Sequence, residues 1–154
     1  MIKQPSGNNC FVCGRNNDFS LKMEFYFDDN GDVISHVVIP ERYEGYPGIV
    51  HGGVIAAMLD EASGRAYSDE PDRFFMTSEL NVRYRKPVKV NTPITVKASK
   101  VNQKGRVAFA KAEIRDDAGI LLAESNGVFV ELSKEKVQEM DPEVFGWRVY
   151  PDEE

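Results

Sequence analysis

The run GIVHGGVIAAMLDEASG, residues 48–64, decides the fold. Gly52 and Gly53 suit a tight helix entry better than a helix interior. After them comes an apolar body with helical spacing, and Asp60 and Glu61 sit within it. On a 3.6-residue wheel, Gly53, Ala57, Asp60 and Gly64 share one stripe of small residues. Ile55, Leu59 and Ala62 form a bulkier stripe suited to packing on a sheet. Val54, Met58, Glu61 and Arg65 make a third, in which Glu61 can pair with Arg65 at i,i+4.

The two acids are therefore not equivalent. Asp60 has no basic partner one turn away and stands among small, apolar side chains. An uncompensated buried carboxylate costs several kcal/mol or takes up a proton. Asp60 is thus a functional candidate, the alternative being a bond to backbone across a close helix packing. His51 precedes the glycines, whose amides lie where free N–H groups and the helix dipole favour negative charge. Such a place can hold a carbonyl oxygen as it gains charge, although a bond from His51 to a loop carbonyl is the plainer role. His51 and Asp60 are nine residues apart, roughly 13 Å along a straight helix, so they cannot form a hydrogen-bonded dyad.

Working outward, the only long helix sits among alternating strands. LKMEFYF (21–27) places Leu21, Met23, Phe25 and Phe27 on one face, and the Asn30-Gly31 turn leads to a return strand at 33–39. After the helix, SELNVRYRK (78–86) alternates Leu80, Val82 and Tyr84 against Glu79, Asn81, Arg83 and Arg85. Strands at 94–101, 106–115 and 120–132 follow, separated by the turns NQKG and DDAG. The order β-β-α-β-β-β-β implies an antiparallel sheet with one helix on its apolar face. SKEKVQEM suggests a short helix capped by Ser133.

With 154 residues, one domain over 1–154 is expected, with its core at about 10–132 and a short helix and tail at 133–154. A formal charge of −6 argues against a nucleic-acid partner. No apolar run approaches the roughly 18 residues of a membrane span, and MIKQPSGNNC lacks a signal-peptide core, so a cytoplasmic location and no membrane partner are expected. Cys10 and Cys13 in CFVCGR have the spacing of half a zinc knuckle. His36 and His51 are the only histidines and no second cysteine pair exists, so no bound metal is expected, a zinc shared between two subunits being the alternative.

PGIVHGGVIAAMLDEA resembles the helix signature of hotdog-fold acyl-CoA thioesterases of the phenylacetate-pathway (PaaI-like) type, in which an acid follows a His-Gly-Gly element nine residues after the His. TSELNVRYRKPV (77–88) is similar to the strand after that helix, with its Asn-x-x-Tyr-x-x-Pro pattern. The hairpins over 97–130 and the early CFVCGRNNDFSLKMEFY are similar too, so the resemblance covers about residues 10–132. It implies an α+β hotdog fold, an antiparallel sheet wrapped around one central helix, and hydrolysis of an acyl-CoA thioester without a separate cofactor. Asp60 then takes the place of the family's acid, as general base or nucleophile, with Glu61 ranked second. The Gly53 amide would polarise the thioester carbonyl, assisted by His51, and Thr77 would help to hold the water. The resemblance implies a dimer or a dimer of dimers, with Asp60 and Thr77 from different subunits. Gly52 and Asn81 line the substrate site in this reading. Arg83, Arg85, Lys86, Lys104 and Arg106 are the candidate contacts for coenzyme A phosphates on an otherwise acidic chain. A hydratase or dehydratase of the same fold, and a non-catalytic acyl-CoA-binding module, are the rival readings.

Overall fold

In the computed structural model, which describes residues 1–152, one helix lies across a seven-stranded antiparallel sheet. The strands are β1 (Ile2–Lys3), β2 (Tyr26–Phe27), β3 (Val33–Val38), β4 (Phe75–Tyr84), β5 (Pro93–Lys104), β6 (Val107–Asp116) and β7 (Leu121–Glu131). They lie in the order β1-β2-β3-β5-β6-β7-β4. The long helix α1 spans Gly52–Arg65, between β3 and β4 in the chain. This is the hotdog arrangement expected from the sequence.

The helix lies close to the sheet because the strands facing it are lined with small residues. Ala98, Ala108, Ala110, Ala112 and Ala123 are all buried on β5, β6 and β7. Ile55, Met58, Leu59 and Ala62 are the helix's side of that core. Burying a side chain such as Leu59 contributes about 2 kcal/mol, so this stripe fixes the helix's rotation. Rotation in turn decides where Asp60 points.

Two boundaries differ from the sequence reading. The strand expected at 21–27 survives as ladder only at Tyr26–Phe27. Leu21, Met23 and Phe25 do turn inward and are buried, but their backbone is held by other partners. The Leu21 and Met23 amides donate to the carbonyls of Phe11 and Val12, and the Gln4 amide donates to Phe25. Lys22 has a φ of 54°, which interrupts any straight strand. β4 begins at Phe75 rather than Ser78, and it carries a bulge between Thr77 and Glu79.

The C-terminal segment forms α2 (Lys134–Gln138) and α3 (Pro142–Phe145). The Ser133 hydroxyl accepts from the Lys136 amide, the cap expected from SKEKVQEM. Beyond α3, Trp147 stacks on Phe145 at 5.2 Å and meets Phe74 edge-on at 5.5 Å. Arg148 bridges to Ser6, so the two ends of the chain lie side by side over the C-terminal end of α1. No helix among the described residues is long and apolar enough to cross a membrane.

Candidate functional site

Asp60 is half-buried on α1, and the Thr77 hydroxyl of β4 donates to its Oδ1 at 2.5 Å. Burial pushes the Asp60 carboxyl above the usual carboxylate range, Thr77 pulls it down, and the neighbouring Glu61 charge adds to the rise. The pair is made within one chain, which corrects the expectation that the two residues come from different subunits. The β4 bulge is the reason. Thr77 and Tyr84 are an odd number of residues apart and would face opposite sides of an unbroken strand. The extra residue at Ser78 resets the alternation, so both reach the helix.

At the start of α1, His51 is the N-cap: its Nδ1 accepts from the Gly53 amide at 2.9 Å. That commits the Gly53 N–H, so the expected contact of this amide with a thioester carbonyl is corrected. The Gly52 N–H, by contrast, meets no acceptor among the described residues. An imidazole accepting at Nδ1 carries its neutral-form proton at Nε2, so exposed His51 offers an N–H outward. The Tyr84 hydroxyl donates to the Gly52 carbonyl at 2.7 Å, and its ring lies against Gly52. Tyr84 was part of the Asn-x-x-Tyr-x-x-Pro pattern, and that spacing was the signal for its role at the helix entry.

A groove of about 620 Å³ opens here, lined by His51, Gly52, Ile55, Tyr84, Arg85 and Lys86. Asp60 lies eight residues further along α1 than Gly52, about 12 Å away by helix rise. A larger cavity of about 1050 Å³, beside Pro5, Phe74 and Trp147, contains none of the expected site residues.

The five expected phosphate contacts do not converge in one chain. Arg85 and Lys86 line the groove, and Arg85 also pairs with Glu124 at 3.2 Å. Arg83 and Asn81 stand opposite Glu124 and Asn126 in the β4–β7 ladder, on the sheet face away from Asp60. Lys104 and Arg106 flank the β5–β6 turn at the other end of the sheet, where Arg106 donates to the Glu131 carbonyl. Antiparallel register explains this: β4 runs from Phe75 beside Glu131 to Tyr84 beside Ala123.

Glu61 is turned away from Thr77. Its Oε1 accepts from Arg65 Nε at 3.0 Å, the i,i+4 pair expected from the wheel, so its second-ranked catalytic place is corrected. Its Oε2 faces the Cys10 sulfur at 3.8 Å. A hydrogen bond from the Cys13 thiol, with the Cys13 and Val12 amides, draws the Cys10 thiol down to about 7.

The geometry defines a hotdog domain whose helix entry and mid-helix acid both border β4. The chain belongs to the thioesterase superfamily: the model of that family matches residues 47–123, half of the chain. The acyl-coenzyme A thioesterase THEM4 of Mus musculus is 33% identical over 94 residues, which are 60% of this chain and 40% of that protein. THEM4 of Bos taurus is 31% identical over 94 residues, 60% of this chain and 38% of that protein. The chain thus spans about two fifths of the length of these curated relatives. A thioesterase-superfamily protein of known crystal structure aligns with a TM-score of 0.73 and 29% identity, over 80% of this chain and 63% of that one. A Haemophilus influenzae thioesterase aligns with a TM-score of 0.69 and 20% identity, over 79% of this chain and 85% of that one.

Proposed function

We propose that this protein hydrolyses an acyl-CoA thioester to a free acid and coenzyme A, as a thioesterase of the phenylacetate type. One observation carries the reading: a half-buried carboxylate, Asp60, is held by the Thr77 hydroxyl rather than by a cation. A salt bridge would quench its basicity. A single hydroxyl orients it and leaves the second oxygen for water or for the thioester carbon. The carbonyl oxygen gains charge in the tetrahedral intermediate; because Gly52 and Asp60 of one chain are about 12 Å apart, the Gly52 N–H and His51 Nε2–H that take this charge come from the second copy of the dimer. Arg85 and Lys86 at the groove bind coenzyme A phosphates.

β4 is an edge strand with Met76 and Tyr84 both more than half exposed, and it is the surface through which two copies pair into the active dimer. The identity of THEM4 as an acyl-coenzyme A thioesterase supports this substrate class.

The test is thiol release from a panel of acyl-CoAs by wild type, Asp60→Asn and Asp60→Ala. A positioned base or nucleophile is worth about 10² to 10⁴ in turnover, and both variants should lose at least about 10² in kcat while still binding a non-hydrolysable acyl-CoA thioether. Turnover by Asp60→Ala within a few-fold of wild type would overturn the reading. So would a wild type inert on the whole panel.

A further inference from the structure

The N-terminal turn and the reverse face of α1 build a second site. Cys10 Sγ, Cys13 Sγ and a Glu61 carboxylate oxygen lie within 4.8 Å of one another. The cysteine loop is already in the form that holds a metal. The Val12 and Cys13 amides donate to Cys10 Sγ at 3.3 and 3.4 Å, and the Gly14 amide closes the turn on the Cys10 carbonyl at 2.8 Å. Gly14 is required there, because a Cβ would come within 2.2 Å of the Cys10 carbonyl oxygen. Arg65 fixes the third donor by binding Glu61 Oε1, which leaves Oε2 toward the sulfurs. Such outer partners orient a ligand before the metal arrives.

We propose that Cys10, Cys13 and Glu61 bind one zinc ion per chain, with solvent as the fourth ligand. Zinc takes thiolate at about 2.3 Å and carboxylate at about 2.0–2.2 Å, so the edges of its tetrahedron measure roughly 3.5–3.8 Å. The Cys10–Glu61 separation of 3.8 Å is already such an edge. The remaining donors must close by about 1.3 Å at most from their 4.8 Å limit. Charge agrees as well. Bound as two thiolates and a carboxylate, the donors carry three negative charges against the one guanidinium of Arg65, and a divalent ion neutralises the remaining two. Thiolate donors favour zinc over magnesium or calcium. The site would clamp the N-terminal turn to α1 one residue beyond Asp60. Counting only cysteines and histidines in the sequence overlooks it, because the third donor comes from the helix.

The test is titration of the reduced, metal-stripped full chain with cobalt(II), followed by displacement with zinc. One equivalent per chain should produce thiolate-to-cobalt charge-transfer bands and the intense visible bands of a tetrahedral ion. Cys10→Ser and Cys13→Ser should abolish them. Glu61→Gln, with its far-ultraviolet circular dichroism unchanged, should weaken cobalt binding at least about tenfold. One equivalent of zinc should also slow alkylation of both wild-type thiols at least about tenfold, a readout independent of whether the cysteine variants fold. Absence of tetrahedral bands overturns the proposal. So do saturation at half an equivalent, which means an ion shared by two chains, and an unchanged affinity in Glu61→Gln.

Discussion

Arg65→Met tests how the two ends of the chain are held on α1. Arg65 is 4% exposed, the more buried partner of an i,i+4 pair. Its Nε donates to Glu61 at 3.0 Å and its Nη1 to the Pro5 carbonyl at 2.8 Å. Its guanidinium lies 4.4 Å from the Phe25 ring centroid and 5.0 Å from that of Trp147. The charged hydrogen bond is worth about 1.5–3 kcal/mol and the desolvated ring contacts about 2. Methionine keeps the packing and avoids the cost of desolvating a cation, which offsets part of that loss. Breaking a buried pair by removing one partner costs about 3–5 kcal/mol, and the partial exposure of Glu61, 22%, places this case at the low end, about 3 kcal/mol. For a chain of this size each kcal/mol moves the midpoint by about 2–4 °C, so Arg65→Met should melt about 6–12 °C lower. The assay is thermal and urea unfolding at one fixed protein concentration, because dimerisation would add its own stability. Glu61→Gln should cost less, about 1–2 kcal/mol, since Arg65 retains Pro5 and both rings. A loss below about 1 kcal/mol in Arg65→Met would refute the argument, and so would a double variant whose losses simply add.

Thr77→Val removes the bond that lowers the Asp60 carboxyl, so the ionised form is lost at a higher pH and the acidic limb of the kcat/KM profile should move upward. Asp60→Asn should raise the unfolding midpoint at pH 7. Burial raises the folded-state carboxyl above its unfolded value, so wild type loses stability as pH climbs through that window, while at pH 3 the two proteins should match. Arg85→Ala with Lys86→Ala should raise KM several-fold for an acyl-CoA but not for the matching pantetheine thioester, which lacks the nucleotide phosphates. Gly127→Ala should destabilise by about 1–3 kcal/mol in urea unfolding, because its Cβ would stand 2.5 Å from the buried Phe129 ring.

The architecture was legible because two periods in the sequence do not conflict. Ile55, Leu59 and Ala62 at helical spacing are buried, and at strand spacing Val82 packs against the core while Tyr84 bonds the helix entry. Asp60 was legible for a chemical reason, as an acid with no cation one turn away. Its partner within the chain was not. The contact with Thr77 depends on a bulge at Ser78, and nothing in MTSELNV marks one residue as extra: each side chain there fits a regular strand equally well. The Gly53 amide was misplaced for a related reason. A histidine at N-cap can turn its ring outward or back onto its own helix, and only the capping bond distinguishes these. The cations failed differently: Arg83 and Arg85 both stand by Glu124 at one end of the sheet, while antiparallel register carries Lys104 and Arg106 to the other end. The misses thus turn on a bulge, a cap and a register, and the bulge alone shifts side chains by half a strand period without altering the fold. An enzyme can therefore move its catalytic geometry by inserting or removing one strand residue while its core packing stays the same. Deleting Ser78 removes the bulge and leaves Thr77 six residues from Tyr84, an even spacing that keeps both on the helix side of a regular strand, so the variant should fold and retain turnover. A folded deletion variant without turnover would show that the bulge, and not the Thr77–Asp60 bond alone, sets the catalytic arrangement.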